Sequence, residues 1–276
     1  MEKARVLYIT HEMMPYMTDE TLMARTAREL PQGMQERGWE IRNFMPRFGM
    51  INERRHQLHE VIRLSGMNII VNDTDQPLVI KVASIPTGRI QVYFIDNEEF
   101  FRRKTMFRDD SDNFFPDNDE RAIFYCKGVL ETVKKLGWVP DVIHVHGWLS
   151  TLVPFYVRTL YKNDPTFSNS KIVTSIYEDD KFSEMFPKDF AQKAQEGFSD
   201  GDLSELAKKA NYANLIVSGL KYSDAAVKGN FTLDKEISKA IKDSGIKLLE
   251  TSYTDNYLDD LHAFYQEILQ EETILG

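Results

Sequence analysis

Histidine and carboxylate side chains stand at the ends of two predicted buried strands. His11 and Glu12 follow an apolar run over residues 4–10, and His144 and His146 lie near the end of a later apolar run. Side chains two apart on a strand point to the same side, so the two later imidazoles should face one way. If the strands are neighbours, imidazole and carboxylate groups come together, a combination that can bind zinc or iron. Because this spacing is common in buried strands, hydrogen bonding at the strand ends is the favoured interpretation, and no metal site is predicted.

Other chemical patterns in the sequence are rejected on the residues they contain. The acidic stretch 109–113 does not fit a calcium-binding EF-hand, because Phe115 stands where the loop requires glycine. Cys126 falls on the apolar face of a predicted helix, so we expect it to pack in the core rather than act as a nucleophile. The sequence has no Walker motif, no G-x-S-x-G elbow and no G-x-G-x-x-G fingerprint.

The composition is typical of a globular protein and excludes several classes. The 276 residues carry a formal net charge of −9, and 42% of them are apolar. The net acidity argues against general nucleic-acid binding, and the basic groups 54–55 and 102–104 are interpreted as solvated faces. No apolar run approaches the ~20 residues that span a bilayer, and the N-terminus lacks a signal-peptide pattern, so we expect a cytoplasmic protein that does not contact membranes. The single cysteine excludes an internal disulfide.

Strand and helix patterns alternate along the chain. The predicted strands cover residues 4–10, 39–45, 141–145, 171–176, 213–218 and 246–249. The predicted helices cover a segment capped by Asp19 or Thr21, kinked or divided at Pro31 and ended by Gly38, and then 119–136, 149–161, 203–210, 233–244 and 256–272. Residues 58–96 read as a β-rich insertion. This order predicts one α/β domain over residues 1–276, Rossmann-like, with a mostly parallel sheet, helices on both faces, and ligands beyond the carboxyl ends of the strands.

Several motifs, taken in chain order, resemble those of bacterial glycogen synthases and plant starch synthases. Glu12, Pro15 and Tyr16 fit the opening Ser-Glu-x-x-Pro-Phe/Tyr of these ADP-glucose-dependent glucosyltransferases. Residues 115–121 resemble their Tyr-Pro-Asp-Asn-x-x-Arg, and residues 140–148 their Pro-Asp-x-x-His-x-His-Asp-Trp. Leu-Pro at 30–31, Glu-Arg-Gly at 36–38, Pro-Arg-Phe at 46–48 and Tyr-Ala-Asn at 212–214 add further matches. The resemblance covers residues 4–220 and implies one half of a GT-B glycosyltransferase, the N-terminal domain.

Three positions depart from the family pattern together. Where the family has a Lys-Thr-Gly-Gly-Leu loop for the nucleotide-sugar diphosphate, this chain places Asp19 and Glu20 and has neither lysine nor glycine. Gly147 replaces the Asp of His-Asp-Trp, and Tyr177 replaces the His of Thr-x-His-Asn. The family's second domain, which supplies the Arg, Lys and Glu of the active site, also has no room in these residues. Since such groups typically contribute factors of ~10² each, we expect a catalytically deficient relative.

Three functions remain open at this point. The first is a deficient synthase-like protein that binds glucan or an enzyme of glycogen metabolism, needs no cofactor, and uses Glu12, His144, His146 and Trp148 to orient and stack on a sugar. The second is an active transferase with ADP-glucose as donor, completed by a partner chain. The third is an interaction protein without sugar chemistry, which a cleft filled by Tyr177 and the methionines at 13, 14 and 17 would favour.

Overall fold

A computed structural model describes residues 3–178, 180–229, 232–250 and 256–270. Its strands in those ranges are β1 Arg5–Ile9, β2 Glu40–Pro46, β3 His59–Glu60, β4 Met67–Val71, β5 Thr74–Ile85, β6 Ile90–Asp96, β7 Val142–His146, β8 Lys171–Ile176, β9 Ala225–Lys228 and β10 Lys247–Glu250. Its α-helices are α1 Leu22–Glu36, α2 Glu98–Phe101, α3 Asn118–Leu136, α4 Leu152–Arg158, α5 Phe190–Ala194, α6 Ser204–Lys208, α7 Tyr212–Leu220, α8 Lys235–Ser244 and α9 Tyr257–Gln270.

The strands form one mostly parallel sheet in a single α/β domain. Their order is β10-β9-β8-β7-β1-β2-β6-β5-β3, with β4 paired to β5. The strands from β10 to β6 run parallel, whereas β5 pairs antiparallel with β3, β4 and β6. The predicted parallel architecture is therefore confirmed. The strands expected within residues 58–96 extend the main sheet, since β6 pairs directly with β2.

Helices cover both faces of the sheet, which is why strand β1 is apolar on both faces from Val6 to Ile9. Val6 and Tyr8 of β1 belong to a buried cluster with α1 and α9, and Leu7 and Ile9 belong to the larger cluster with α3, α4 and α7. All four side chains are at most 1% exposed. Such double burial requires a continuous apolar run rather than an alternating one. Cys126 is also buried, on α3, as expected.

Helix α1 begins at the cap that the sequence offered and runs through its proline. Thr21, rather than Asp19, is the N-cap, and its hydroxyl accepts a hydrogen bond from the N–H of Ala24 at 3.0 Å. The helix is not divided at Pro31. Leu30 and Met34, one turn apart and fully buried, anchor it to the sheet on both sides of the proline. This burial offsets the hydrogen bond that proline removes.

The strand predicted at residues 213–218 is wrong, because these residues lie in helix α7. The side chain of Asn211 caps that helix by accepting from the N–H of Asn214 at 2.9 Å. The true strand, β9, follows at Ala225–Lys228. A short apolar run does not distinguish a buried strand from a buried helix, and here the cap decides. No helix in the described ranges is long and apolar enough to cross a membrane.

Candidate functional site

The carboxyl ends of β1 and β7 bring the sequence-predicted residues together. The two strands pair in parallel with Tyr8 opposite His144, so the segment after β1 lies beside the segment after β7. The ring centroids of His144 and His146 are 4.1 Å apart, and the ring of His11 lies 6.1 Å from the Trp148 ring. The arrangement therefore places all of the candidate residues at one edge of the sheet.

The two strand histidines are buried and hydrogen-bonded. His144 contacts the hydroxyl of Tyr265 through Nδ1 at 2.5 Å and that of Ser175 through Nε2 at 2.7 Å. His146 contacts the hydroxyl of Tyr177 through Nδ1 at 2.9 Å, while its buried Nε2 has no hydrogen-bond partner among the residues that the structure describes. Burial, and secondarily the neighbouring His11, lowers the pKa of His146 to about 3. Burial lowers the pKa of His144 well below its ordinary value, so both rings are neutral near pH 7.

His11 occupies the space that a side chain at position 147 would need. Gly147 has a φ of +77°, and a Cβ built there would lie 2.4 Å from Cε1 of His11 and 2.8 Å from Cε of Met23. The Nε2 atom of His11 lies 3.0 Å from Oδ1 of Asp180. The other carboxylate oxygen of Asp180 accepts the N–H of Trp148 at 2.6 Å. Position 147 has no carboxylate, and Asp180 supplies one at the same edge of the sheet.

Glu12 points to the start of helix α1. Its Oε2 accepts a hydrogen bond from the hydroxyl of Thr21, the N-cap of that helix, and its Oε1 lies 3.9 Å from Nε2 of His11. A carboxylate near a helix N-terminus is stabilised by the helix dipole. Asp19 and Glu20 are exposed in the segment just before the cap. Their negative charges oppose the binding of a phosphate at this helix start.

Trp148 is covered by aromatic rings. Its side chain is 2% exposed, and its ring centroid lies 4.7 Å from Phe107, 5.4 Å from Phe182 and 5.6 Å from Phe186. We name residues 181–187, which carry two of these rings, the covering segment. An ion pair of 2.7 Å between Arg108 and Glu184 ties this segment to the loop before α3. The indole faces are therefore closed to a sugar in this conformation.

Three methionines and a tyrosine close to these residues in the sequence are buried or partly buried. Met13 and Tyr177 are fully buried, Met17 is 6% exposed, and Met14 packs against the same core. Tyr177 contacts His146 through its hydroxyl, as described above. Burial of these side chains is the arrangement expected of an interaction protein without sugar chemistry, which stays a prediction. In the described ranges, no group of three or more His, Cys, Asp or Glu side chains is placed to hold a metal ion.

Comparison with known proteins identifies the family of this chain. Residues 5–249 match the family described as the starch synthase catalytic domain. This chain belongs to that family. It is 34% identical to the glycogen synthase of Chlorobaculum parvum over 235 residues, which cover 85% of this chain and 47% of the relative. It is 37% identical to the glycogen synthase of Chlorobium chlorochromatii over 179 residues, which cover 63% of this chain and 36% of the relative.

A solved structure shows the same fold for this starch synthase-type domain. The catalytic domain of starch synthase IV from Arabidopsis thaliana, bound to ADP and acarbose, superposes with a TM-score of 0.69 at 16% identity. The match covers 93% of this chain and 53% of the Arabidopsis chain. The domain thus spans about half the length of the relatives that it matches. The family resemblance stated from the motifs is confirmed, as is the fold that it implied.

The contact of Asp180 with His11 in this starch synthase-type domain is not predicted by the sequence analysis above. The available signal is a glycine at 147, where the motif of the resembled family has Asp, together with the histidine at position 11 and an acidic run from position 178. Burial raises the pKa of Asp180, and the neighbouring His11 opposes that shift. The distance between the positions along the chain hid the contact, which only the parallel pairing of β1, β7 and β8 creates.

Proposed function

We propose that this starch synthase-type domain does not transfer glucose by itself and acts in the cytoplasm by binding a partner protein of glycogen metabolism. The observation that supports the proposal is the closed edge of the sheet around His11, Gly147 and Trp148. Glucosyl transfer requires groups that stabilise the departing diphosphate and an open place for the acceptor hydroxyl. Here the residues before α1 are acidic, and the candidate sugar contacts are buried.

The proposal is tested by measuring transfer of labelled glucose from ADP-glucose to glycogen by the purified chain. The glycogen synthase of Chlorobaculum parvum serves as the positive control. With the loop lysine and the position-147 carboxylate both absent, we expect a rate at least about 10⁴-fold below that control. A comparable rate for the chain alone contradicts the proposal. A comparable rate only after addition of the carboxyl-terminal half of the control enzyme favours the alternative of a transferase completed by a partner chain.

Glucan binding is the second candidate function, and the retained Trp148 favours it. An indole is a good stacking surface for a sugar, and the covering segment that closes it has no regular secondary structure. If the covering segment competes with glucan, weakening it should raise the glucan affinity. The other glucan candidates, Glu12, His144 and His146, are buried at the carboxyl ends of the same strands and would contribute only after the edge opens.

We expect Phe182→Ala to strengthen maltoheptaose binding by about tenfold if Trp148 is a glucan site, because the closed conformation loses an aromatic contact. Isothermal titration calorimetry measures the affinity. Phe198→Ala is the matched control, since Phe198 packs on Phe155 in a different part of the domain. Equal affinities of the wild type and both variants would rule out glucan binding at Trp148.

A further inference from the structure

Two basic segments that are far apart in the sequence meet at one edge of the fold. The loop after β2 carries Arg54 and Arg55, and the segment after α2 contains Arg102, Arg103 and Lys104. The two segments approach closely at Gly49. A Cβ at that position would lie 2.2 Å from the carbonyl oxygen of Arg103, so only glycine allows this approach. From the sequence, these segments are expected to be two separate solvated faces. In the fold they form one surface.

Part of this surface is internally neutralised. Lys81 lies 2.7 Å from a carboxylate oxygen of Glu53 and 3.1 Å from one of Asp96, and Arg47 also pairs with Glu53. Asp96 is fully buried beneath these cations. Two further ion pairs lie beside them, between Arg102 and Glu98 and between Arg103 and Asp117. Four cations are thus matched by four carboxylates, which leaves no surplus charge in this layer.

Three exposed basic side chains lie outside this group of ion pairs. Arg54, Arg55 and Lys104 are exposed, and none of them has an ion pair within the part of the chain that the structure describes. We name these three residues the basic rim. They are three exposed cations on a chain whose formal net charge is −9. A local charge of the opposite sign to the whole molecule directs an acidic partner to one place.

An exposed aliphatic residue lies near Lys81 and its ion pair with Glu53, the residue that precedes Arg54. Ile62 is 76% exposed, the largest exposure among the large apolar side chains of the described residues. The N–H of the preceding Val61 donates to the carbonyl of Ile80 at 2.8 Å, so Ile62 sits next to the strand that carries Lys81. Protein interfaces typically combine an apolar anchor of this kind with charged groups at the edge.

We propose that the basic rim and Ile62 form a docking surface for an acidic segment of a partner protein, one that also presents an aliphatic side chain. The proposal rests on the proposed function, whose partner it describes chemically. The three cations are splayed over two loops and are exposed, so they do not enclose a small phosphate. A nucleic acid carries a charge at every phosphate and is repelled by the acidic remainder of the chain. A short acidic segment matches three charges and uses Ile62 as well.

The test is fluorescence anisotropy with a labelled synthetic peptide of repeated Glu-Glu-Leu triplets, added to the full chain at about 50 mM salt. We expect Arg54→Glu with Arg55→Glu to weaken peptide binding by at least about tenfold. The matched control is Lys239→Glu with Lys242→Glu, which makes the same change of net charge on the exposed side of α8 and should alter binding by less than about twofold. Ile62→Ser should weaken binding of this peptide but not of a peptide with Ser in place of Leu. Thermal melts confirm that each variant is folded.

Three results would overturn the proposal. One is equal weakening by the two charge-reversal pairs, which would assign the effect to net charge rather than to the basic rim. Another is the absence of saturable peptide binding. The third is tighter binding of an oligothymidylate than of the peptide, which would make the surface one for nucleic acid. None of these results depends on glucose transfer, so failure here is distinguishable from failure of the proposed function.

Discussion

Gly147→Asp, which restores the carboxylate of the family motif, is expected to lower the free energy of unfolding by about 4 kcal/mol. Two costs add. Any side chain at 147 is strained at a φ of +77°, and its Cβ would lie 2.4 Å from the ring of His11. Urea unfolding followed by circular dichroism measures the loss. Gly137→Asp is the control, because its φ is also positive but a Cβ there meets nothing within 4 Å.

A second variant separates backbone strain from the clash with His11. Gly147→Asp combined with His11→Ser removes the ring and should recover the part of the loss caused by overpacking, about 2 kcal/mol, while the strain remains. The double-mutant cycle then gives a positive coupling between the two positions. If the two substitutions are additive, His11 does not occupy the space of the lost side chain, and our account of this edge is wrong.

Acidification is expected to destabilise the domain through the buried strand histidines. The pKa of His146 in the fold is about 3, below the ordinary value near 6.5 that it regains on unfolding. The stability that depends on the neutral ring is therefore present above pH ~6.5 and is lost as the pH falls toward 3. For His146 alone we expect a loss of about 2 kcal/mol between pH ~6.5 and ~4.5, and His144 adds a loss of the same sign.

The histidine contribution is isolated by comparing pH slopes. Urea unfolding is measured at several pH values for the wild type and for His146→Gln, whose amide keeps a polar group near the hydroxyl of Tyr177. We expect the variant to show a slope smaller by up to one proton, or about 1.4 kcal/mol per pH unit, in the window below pH ~6. His59→Gln, at an exposed site on β3, is the control for replacing a histidine away from this edge. An unchanged slope for His146→Gln would show that this ring takes up a proton in the folded state.

The sequence was sufficient for the parallel core and for the family, and the reasons are physical. Strands such as β1 and β7 are buried on both faces, so they read as continuous apolar runs. The Pro-Asp-x-x-His-x-His-x-Trp segment at 140–148 lies along one of these strands and carries the family pattern in a compact stretch. Both patterns are formed by residues that are close together in the sequence, so a single sequence is enough to detect them.

The parts that were missed depend on long-range contacts. Helix α7 has the apolar composition of a strand, and only its Asn211 cap and packing decide the outcome. The pairing of His11 with Asp180 joins residues that are far apart in the sequence, and neither residue fits a motif. The cover over Trp148 likewise uses rings from loops, whose positions no periodicity predicts. The chemical state of the site follows from these contacts, so sequence patterns alone located the residues without showing that they are buried.

The interlocked positions 11, 147 and 180 also limit how the domain can evolve. With the ring of His11 in place, a single reversion at Gly147 meets a clash, and a single loss of Asp180 leaves a buried imidazole and the N–H of Trp148 without their carboxylate. Each of these single substitutions is therefore expected to destabilise the domain. The three positions are therefore coupled, and we expect a change at one of them to be tolerated only together with a change at another.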